Sequence, residues 1–298
     1  MRTMMGLCLI IGFIAGYYYW MDIPTVRSGS ETSASITDGE ATLDDGLRDQ
    51  VAHIVRVVRL AAQENALRPV ESSSEDQKRL DGDALGDYYI RVAALAALEN
   101  NPVDPVKAFL VSLGFALDPK SRVARHPVVR LLLPKVETER ERTERRLFLG
   151  KPTLRGRKDL LLHFSVSASL VAILGKSVSE AVGIQKELSD AKEKERGEGT
   201  GFSFVDLTAD YSGIEFAERL SNADPKIAHH AITQLAQRFS GKDFIPSIEV
   251  IPESLTYSRF VELYGSVIDN RFAVWVRMIR KQIRNCRGFD LFSHVNDH

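Results

Sequence analysis

DLLLHFSVSASLVAILG, residues 159–175, is the stretch on which the reading of the fold turns. It is strongly apolar, yet at about 1.5 Å per residue a helix of this length falls short of a comfortable bilayer span. It reads as a helix buried in a protein core. The helices on either side must then wrap it, and the segments around it agree. Ser177 and Glu180 have the Ser-x-x-Glu spacing of a capping box, opening a helix that runs through Gly183 and Glu187 to about Lys194. After the polar run KEKERGEGTG, residues Phe202, Ser203, Asp206 and Leu207 supply a staple and cap for a third helix through Phe216 and Leu220.

Outward from this core the pattern stays helical. Leu47, Val51, Ile54, Val55, Val58 and Leu60 fall at near-helical spacing, and that helix ends before Pro69. Further helices are expected over Tyr88–Leu98 and after Pro105. In the tail they are expected at Ile227–Phe239, Ser258–Tyr264 and Arg271–Ile283, with loops at Pro246 and Pro252. ETERERTERRLF, residues 137–148, alternates charge sign and reads as a solvated face laced with ion pairs. KPTLRGRK, residues 151–158, reads as a basic solvated loop. Strand signals are weak and no repeat is present, so the expected architecture is an all-α multi-helix bundle. The divisions are a segment 1–21, a linker 22–40, a helical region 41–155, a three-helix core 156–222 and a C-terminal helical region 223–298.

The first segment differs from the rest. Met4 to Met21 is an uncharged run of eighteen residues, which spans roughly 27 Å as a helix. Arg2 precedes it, and Tyr17, Tyr18, Tyr19 and Trp20 suit a membrane–water interface. No small-x-small cleavage site follows, so an uncleaved anchor is preferred to a removed signal peptide. The bulk of the chain would then lie on the exported side. Residues 22–40 are small and polar and read as a flexible tether.

The whole chain has a net charge of -1, which gives no support to nucleic-acid binding. Its two cysteines, Cys8 and Cys286, form neither a disulfide framework nor a metal spacing. No Walker, dinucleotide or G-x-S-x-G fingerprint occurs, and GEGTG lacks the preceding strand that a phosphate loop needs. His229 and His230 read as exposed or packing residues, and His294 and His298 as part of a tail.

Chemistry concentrates on the three core helices. Asp159 and His163 are i,i+4 partners on one face with Ser167, so the aspartate can fix the imidazole tautomer. Glu187 and Asp190 are i,i+3 neighbours on the second helix, with Lys186 beside them as a salt-bridge partner. On the third, Asp206 has a capping role. Asp210 lies one turn further in, on the face of Gly213, whose cost inside a helix suggests a close helix contact. An aspartate facing such a contact needs a partner. If these faces converge, the cluster has the composition of a divalent-metal site or an acid–base pair.

The pattern resembles that of VanZ-like proteins and related bacterial cell-envelope families. It is carried by Asp159-Leu-Leu-Leu-His163-Phe164, by Lys186-Glu187-Leu-Ser-Asp190, and by Ser203-Phe-Val-Asp206-Leu-Thr-Ala-Asp210-Tyr-Ser-Gly213. Integral VanZ-like proteins carry it on membrane-spanning helices, whereas these helices read as soluble. The resemblance implies a bacterial envelope setting, and together with the Met4–Met21 anchor it gives a single-pass inner-membrane protein facing the periplasm. It points to a shared site rather than to a named reaction.

Two readings follow. In one, His163 and Glu187 are catalytic and Asp190, Asp206 and Asp210 hold a divalent metal. Asp159 orients the histidine, and an envelope substrate is hydrolysed with metal or acid–base help. In the other, the same groups form a buried polar network in a non-catalytic, membrane-anchored protein that meets an envelope glycan, lipid or protein.

Overall fold

The computed structural model describes residues 45–71, 78–100, 103–120 and 135–292, together with positions 123, 129 and 133. The apolar Met4–Met21 run, the 22–40 tether, Cys8, His294 and His298 lie outside the described residues. Among those described, the structure is helical and has no strand, only isolated bridges. None of the described helices is long and apolar enough to cross a membrane.

The first four helices are α1 (Asp45–Leu67), α2 (Gly82–Ala97), α3 (Pro105–Ala116) and α4 (Glu139–Phe148). The core follows with α5 (Lys158–Leu174), α6 (Lys176–Glu195) and α7 (Phe204–Asn222). Then come α8 (Pro225–Arg238), α9 (Tyr257–Tyr264) and α10 (Asn270–Arg284), with short 3-10 turns at Gly241–Asp243 and Arg287–Phe292. Most of these begin where a short polar side chain can accept from an orphan N–H. Asp104 accepts from Lys107 N, Thr138 and Glu141 form a reciprocal capping box, and Asp269 accepts from Arg271 N. The Ser177–Glu180 box does not form. α6 starts two residues earlier, capped by Gly175 at a φ of 86°, and Glu180 instead pairs with Arg280 at 2.8 Å. Gly175 is the whole joint between α5 and α6, so the two helices fold back on one another.

α7 is the centre of the body, with every residue from Phe204 to Ile214 buried. It runs alongside α5 in the same direction, since Arg157 lies near Asp206, His163 near Asp210 and Lys176 near Glu218. α6 runs opposite to both, because Gly183 meets Asp210 while Glu187, further along, meets Ser203. The α5–α7 contact is close at Gly213, where an added Cβ would stand 2.2 Å from the Phe164 carbonyl oxygen. α3 closes α5 from the other side and α1, α2 and α8 complete the wrap. One hydrophobic core, from Leu47 to Phe289, runs through all the described ranges. A run of rings joins Phe202, Phe204, Phe260, Tyr264, Phe272 and Trp275 across α7, α9 and α10.

Three expectations change. Leu60 is half exposed and takes no part in the core face of α1. The charged run 137–148 is not wholly solvated: Arg145 is fully buried, doubly bonded to Glu137 at 3.0 and 2.7 Å and donating to the carbonyls of Ala116 and Asp118. A salt-bridge pattern in sequence does not distinguish an arginine that faces water from one that ties α4 to the end of α3. The 151–158 loop is likewise a structural element. Leu154 is fully buried, Arg155 donates to the carbonyls of Ile245 and Lys242, and Gly156 N donates to Asp83.

Gly213→Ala should cost about 1–3 kcal/mol, because the new methyl meets the α5 backbone and not a side chain that can turn away. Urea unfolding of the variant checks this, with a lowered midpoint and an unchanged slope as the expected result.

Candidate functional site: a charged cleft over α5, α6 and α7

The three core helices bring His163, Lys186, Glu187 and Asp206 together. His163 Nδ1 is 3.0 Å from Asp210 Oδ1, which also accepts from Ser167 Oγ at 2.7 Å. The other ring nitrogen, Nε2, faces Asp206 Oδ2 at 3.5 Å and Lys186 Nζ at 3.3 Å. Lys186 Nζ donates to Glu187 Oε1 at 2.8 Å and pairs with Asp190 at 2.9 Å and Asp206 at 3.5 Å. Glu187 Oε2 accepts the Ser203 backbone N–H at 2.9 Å, while Ser203 Oγ accepts from Asp206 N at 3.0 Å. Glu187 therefore takes the part that the acidic arm of a capping box would have played at the start of α7.

Above this cluster opens a cleft of about 770 Å³. His163, Lys186, Asp190 and Asp206 reach its wall, as do Arg157 and Glu253. Glu187 and Asp210 do not; they lie behind it, with Glu187 fully buried. Two buried carboxylate oxygens, Asp206 Oδ1 and Asp210 Oδ2, have no hydrogen-bond partner. Asp206 Oδ1 has only the Arg157 guanidinium nearby, at 3.8 Å. An unsatisfied buried acceptor costs about 1–3 kcal/mol, more when charged, so Asp206 is poised to receive a donor or cation from the cleft.

Each predicted residue now has a place. Asp159 does not orient His163. Both its oxygens are taken by Arg157, at 3.1 and 2.6 Å, and although burial would raise its carboxyl, Arg157 holds it below the ordinary aspartate range. Asp210 orients the imidazole instead, and is not a metal ligand in this arrangement. Glu187 cannot act as a base toward a substrate, since it is shut away and both its oxygens are occupied. Asp190 sits at the rim, bonded to Lys186 and to Thr200 Oγ1 at 3.0 Å. The set whose ligand atoms fit one ion, all within 4.8 Å of one another, is His163, Glu187 and Asp206. Lys186 contacts all three, so a cation of the chain's own stands where a divalent ion would go.

Sequence reasoning passed over Lys186 and Arg157. Lys186 was visible only as a salt-bridge partner beside Glu187 and Asp190, and Gly183 one turn earlier was the hint that this face packs inward. Arg157 lay in a loop that looked solvated. Gly199 and Thr200, in a run with no phosphate-loop context, form part of the cleft rim.

Charge explains the proton inventory. Burial would lower the His163 imidazolium, but Asp210 and Asp206 outweigh burial and Lys186 together and raise it from 6.5 to about 9. Burial raises the Glu187 carboxyl, with Asp206 adding and Lys186 and His163 opposing, from 4.5 to about 8. Lys186 would be lowered by burial, yet Glu187, Asp206 and Asp190 hold it well above the ordinary lysine range. The cluster keeps protons that free side chains would release by neutral pH.

Comparison with known protein families, with curated proteins and with solved structures finds no match for this chain. What the fold and site define is a class: an all-α body with a buried Asp–His pair and an embedded lysine beneath a charged cleft.

A raised folded-state value means that the folded chain binds the extra proton, so stability from His163 is complete below about 6.5 and is lost as pH rises through about 9. Glu187 adds a fall in the same direction that begins near 4.5 and ends at about 8, so the combined window runs from about 4.5 to about 9. The unfolding free energy should decline between those limits by an amount on the order of a few kcal/mol. Urea unfolding across that pH range, with His163→Asn flattening the decline, checks the assignment.

Proposed function

We propose that the cleft is the active site of a hydrolase for a polar component of the cell envelope, working by acid–base chemistry. The observation that carries this reading is the orientation of His163, with Nδ1 held by buried Asp210 and Nε2 presented to the cleft beside Asp206. With Nδ1–H donated to Asp210, the imidazolium carries a second, transferable proton at Nε2. That proton goes to the leaving group as its bond to the scissile atom breaks. Water forms the new bond and gives its proton to Asp206, whose Oδ1 has no hydrogen-bond partner. Return of a proton from Asp206 to His163 through solvent closes the cycle. Lys186 holds Glu187, Asp190 and Asp206 in place through its ammonium, and Glu187 fixes Lys186 and the start of α7.

Among the residues lining the cleft, Leu162 is the one with an apolar side chain. That lining suits a glycan or peptide rather than an acyl chain. A metal-assisted version of the same chemistry would use His163, Glu187 and Asp206 as ligands, with Lys186 moved aside. The envelope setting rests on two sequence features, the likeness of the motif to VanZ-like proteins and the apolar Met4–Met21 run. The latter would anchor the chain as a single span in a bacterial inner membrane with the body exported.

A second reading has its own support. Glu187 joins Lys186 on α6 to the first backbone N–H of the α7 cap, and Asp210 joins α5 to α7. Such a network would fix helix register in a non-catalytic protein that binds an envelope partner.

The test is hydrolysis of soluble envelope glycan and peptide fragments by the purified full chain, followed by mass spectrometry of the products. Asp206→Asn and His163→Asn should each lose roughly 10²–10⁴-fold in rate under conditions where both are still folded, with His163→Asn unfolding at a lower denaturant concentration than wild type because Asp210 loses its buried cation. One equivalent of bound divalent metal, measured on the same sample, would select the metal-assisted version. Variants that collapse, with no turnover by the wild type, would select the structural network.

A further inference from the structure

α10 carries a second feature, unconnected to the cleft. Its sequence, NRFAVWVRMIRKQIR, contains five basic residues and no acidic one, in a chain whose net charge is -1. At about 100° per residue, Phe272, Ile279 and Ile283 share the buried side of the helix. The opposite side presents Val274 and Met278, which are 48% and 41% exposed. Arg277, Lys281 and Arg284 fall along the same exposed arc and have no ion-pair partner among the described residues. The other two basic residues are neutralised, Arg271 by Asp269 and Arg280 by Glu180.

A further exposed apolar side chain lies just before the helix. Arg271 donates to the carbonyls of Glu262 and Leu263, tying the end of α9 to the start of α10. The turn between them carries Ile268, which is 93% exposed. A helix face that combines free cations with exposed aliphatic side chains matches an interfacial surface, where the aliphatic groups enter the headgroup boundary and the cations meet anionic headgroups. An acidic protein surface would complement the charges but would leave Ile268, Val274 and Met278 without a reason to be exposed.

We infer that the outer face of α10, with the α9–α10 turn, docks on an anionic lipid bilayer. Docking there is independent of whether the cleft is catalytic. Each cation near an anionic surface contributes about 1 kcal/mol, so reversing three should weaken docking by at least a hundredfold.

The test uses the full chain with Cys8→Ser and Cys286→Ser, and with Met278→Cys carrying an environment-sensitive fluorophore. Reconstitution into vesicles of phosphatidylcholine alone is compared with vesicles that also contain phosphatidylglycerol. The expected result is a blue-shifted emission only with the anionic lipid, reversed by salt and abolished by Arg277→Glu, Lys281→Glu and Arg284→Glu together. The probe reports the position of α10 itself, so insertion of the apolar Met4–Met21 run does not imitate the signal. Equal emission in both vesicle types would overturn the inference. So would a shift produced by poly-aspartate or a short DNA duplex but not by phosphatidylglycerol.

Discussion

Asp206 and Asp210 lie on the most deeply enclosed helix of the body, and only the positive charge of His163 and Lys186 makes that placement tolerable. Burial of an isolated carboxylate is among the costliest events in folding, and a paired one needs near-ideal geometry to break even. Here the pairing requires three helices at once: His163 from α5, Lys186 from α6 and the two aspartates from α7. α5 and α7 must also approach closely enough at Gly213 for the imidazole to span the gap. The packing of the core and the charge of the site are therefore one constraint. A shift of any of these helices by a turn would leave an ion without its partner.

The rest of the molecule holds that arrangement from outside. The 151–158 loop connects Asp83 at the start of α2, the carbonyls near Ile245 and, through Arg157, the acidic side of the cleft. The segment before α9 pairs with the entry to α7, Phe202 and Leu255 exchanging backbone hydrogen bonds at 2.8 and 3.0 Å. That exchange sets Glu253 and Ser254 at the cleft wall. Lys194, near the end of α6, reaches the same segment through Ser254. The opening over His163 is bounded by loops whose backbones are themselves tied down, which suits a site that must hold its shape in water.

Much of this was legible in residue order. Helix existence followed from spacing and caps, and the inward turn of Asp210 followed from Gly213 one residue position short of a turn further on. The convergence of His163, Glu187 and Asp206 was a condition that residue order left open, and the packing of the three helices meets it. Partner choice was not legible. Asp159 is four residues from His163 and on the same face, but Arg157 is closer in space and carries a full charge, so it wins the carboxylate. Glu187 and Asp190 look alike in KELSD. One is sealed behind Lys186 and the other stands at the rim, a difference made by the rotation of α6 against α7. Arg145 was hidden for a related reason, since its run of alternating charges satisfies a surface pattern as well as a buried one. Local sequence encodes which element forms; the rotation of one element against another is a property of the whole core.

Gly183 sits where α6 crosses the aspartate that grips His163, and a Cβ there would come within 2.8 Å of Asp210 Oδ2. The bare backbone at this position is thus a mould for the carboxylate, although it supplies no reacting group. A lineage of such proteins could retune the imidazole by enlarging residue 183 alone, nudging the anion behind the ring and leaving every cleft-facing side chain in place.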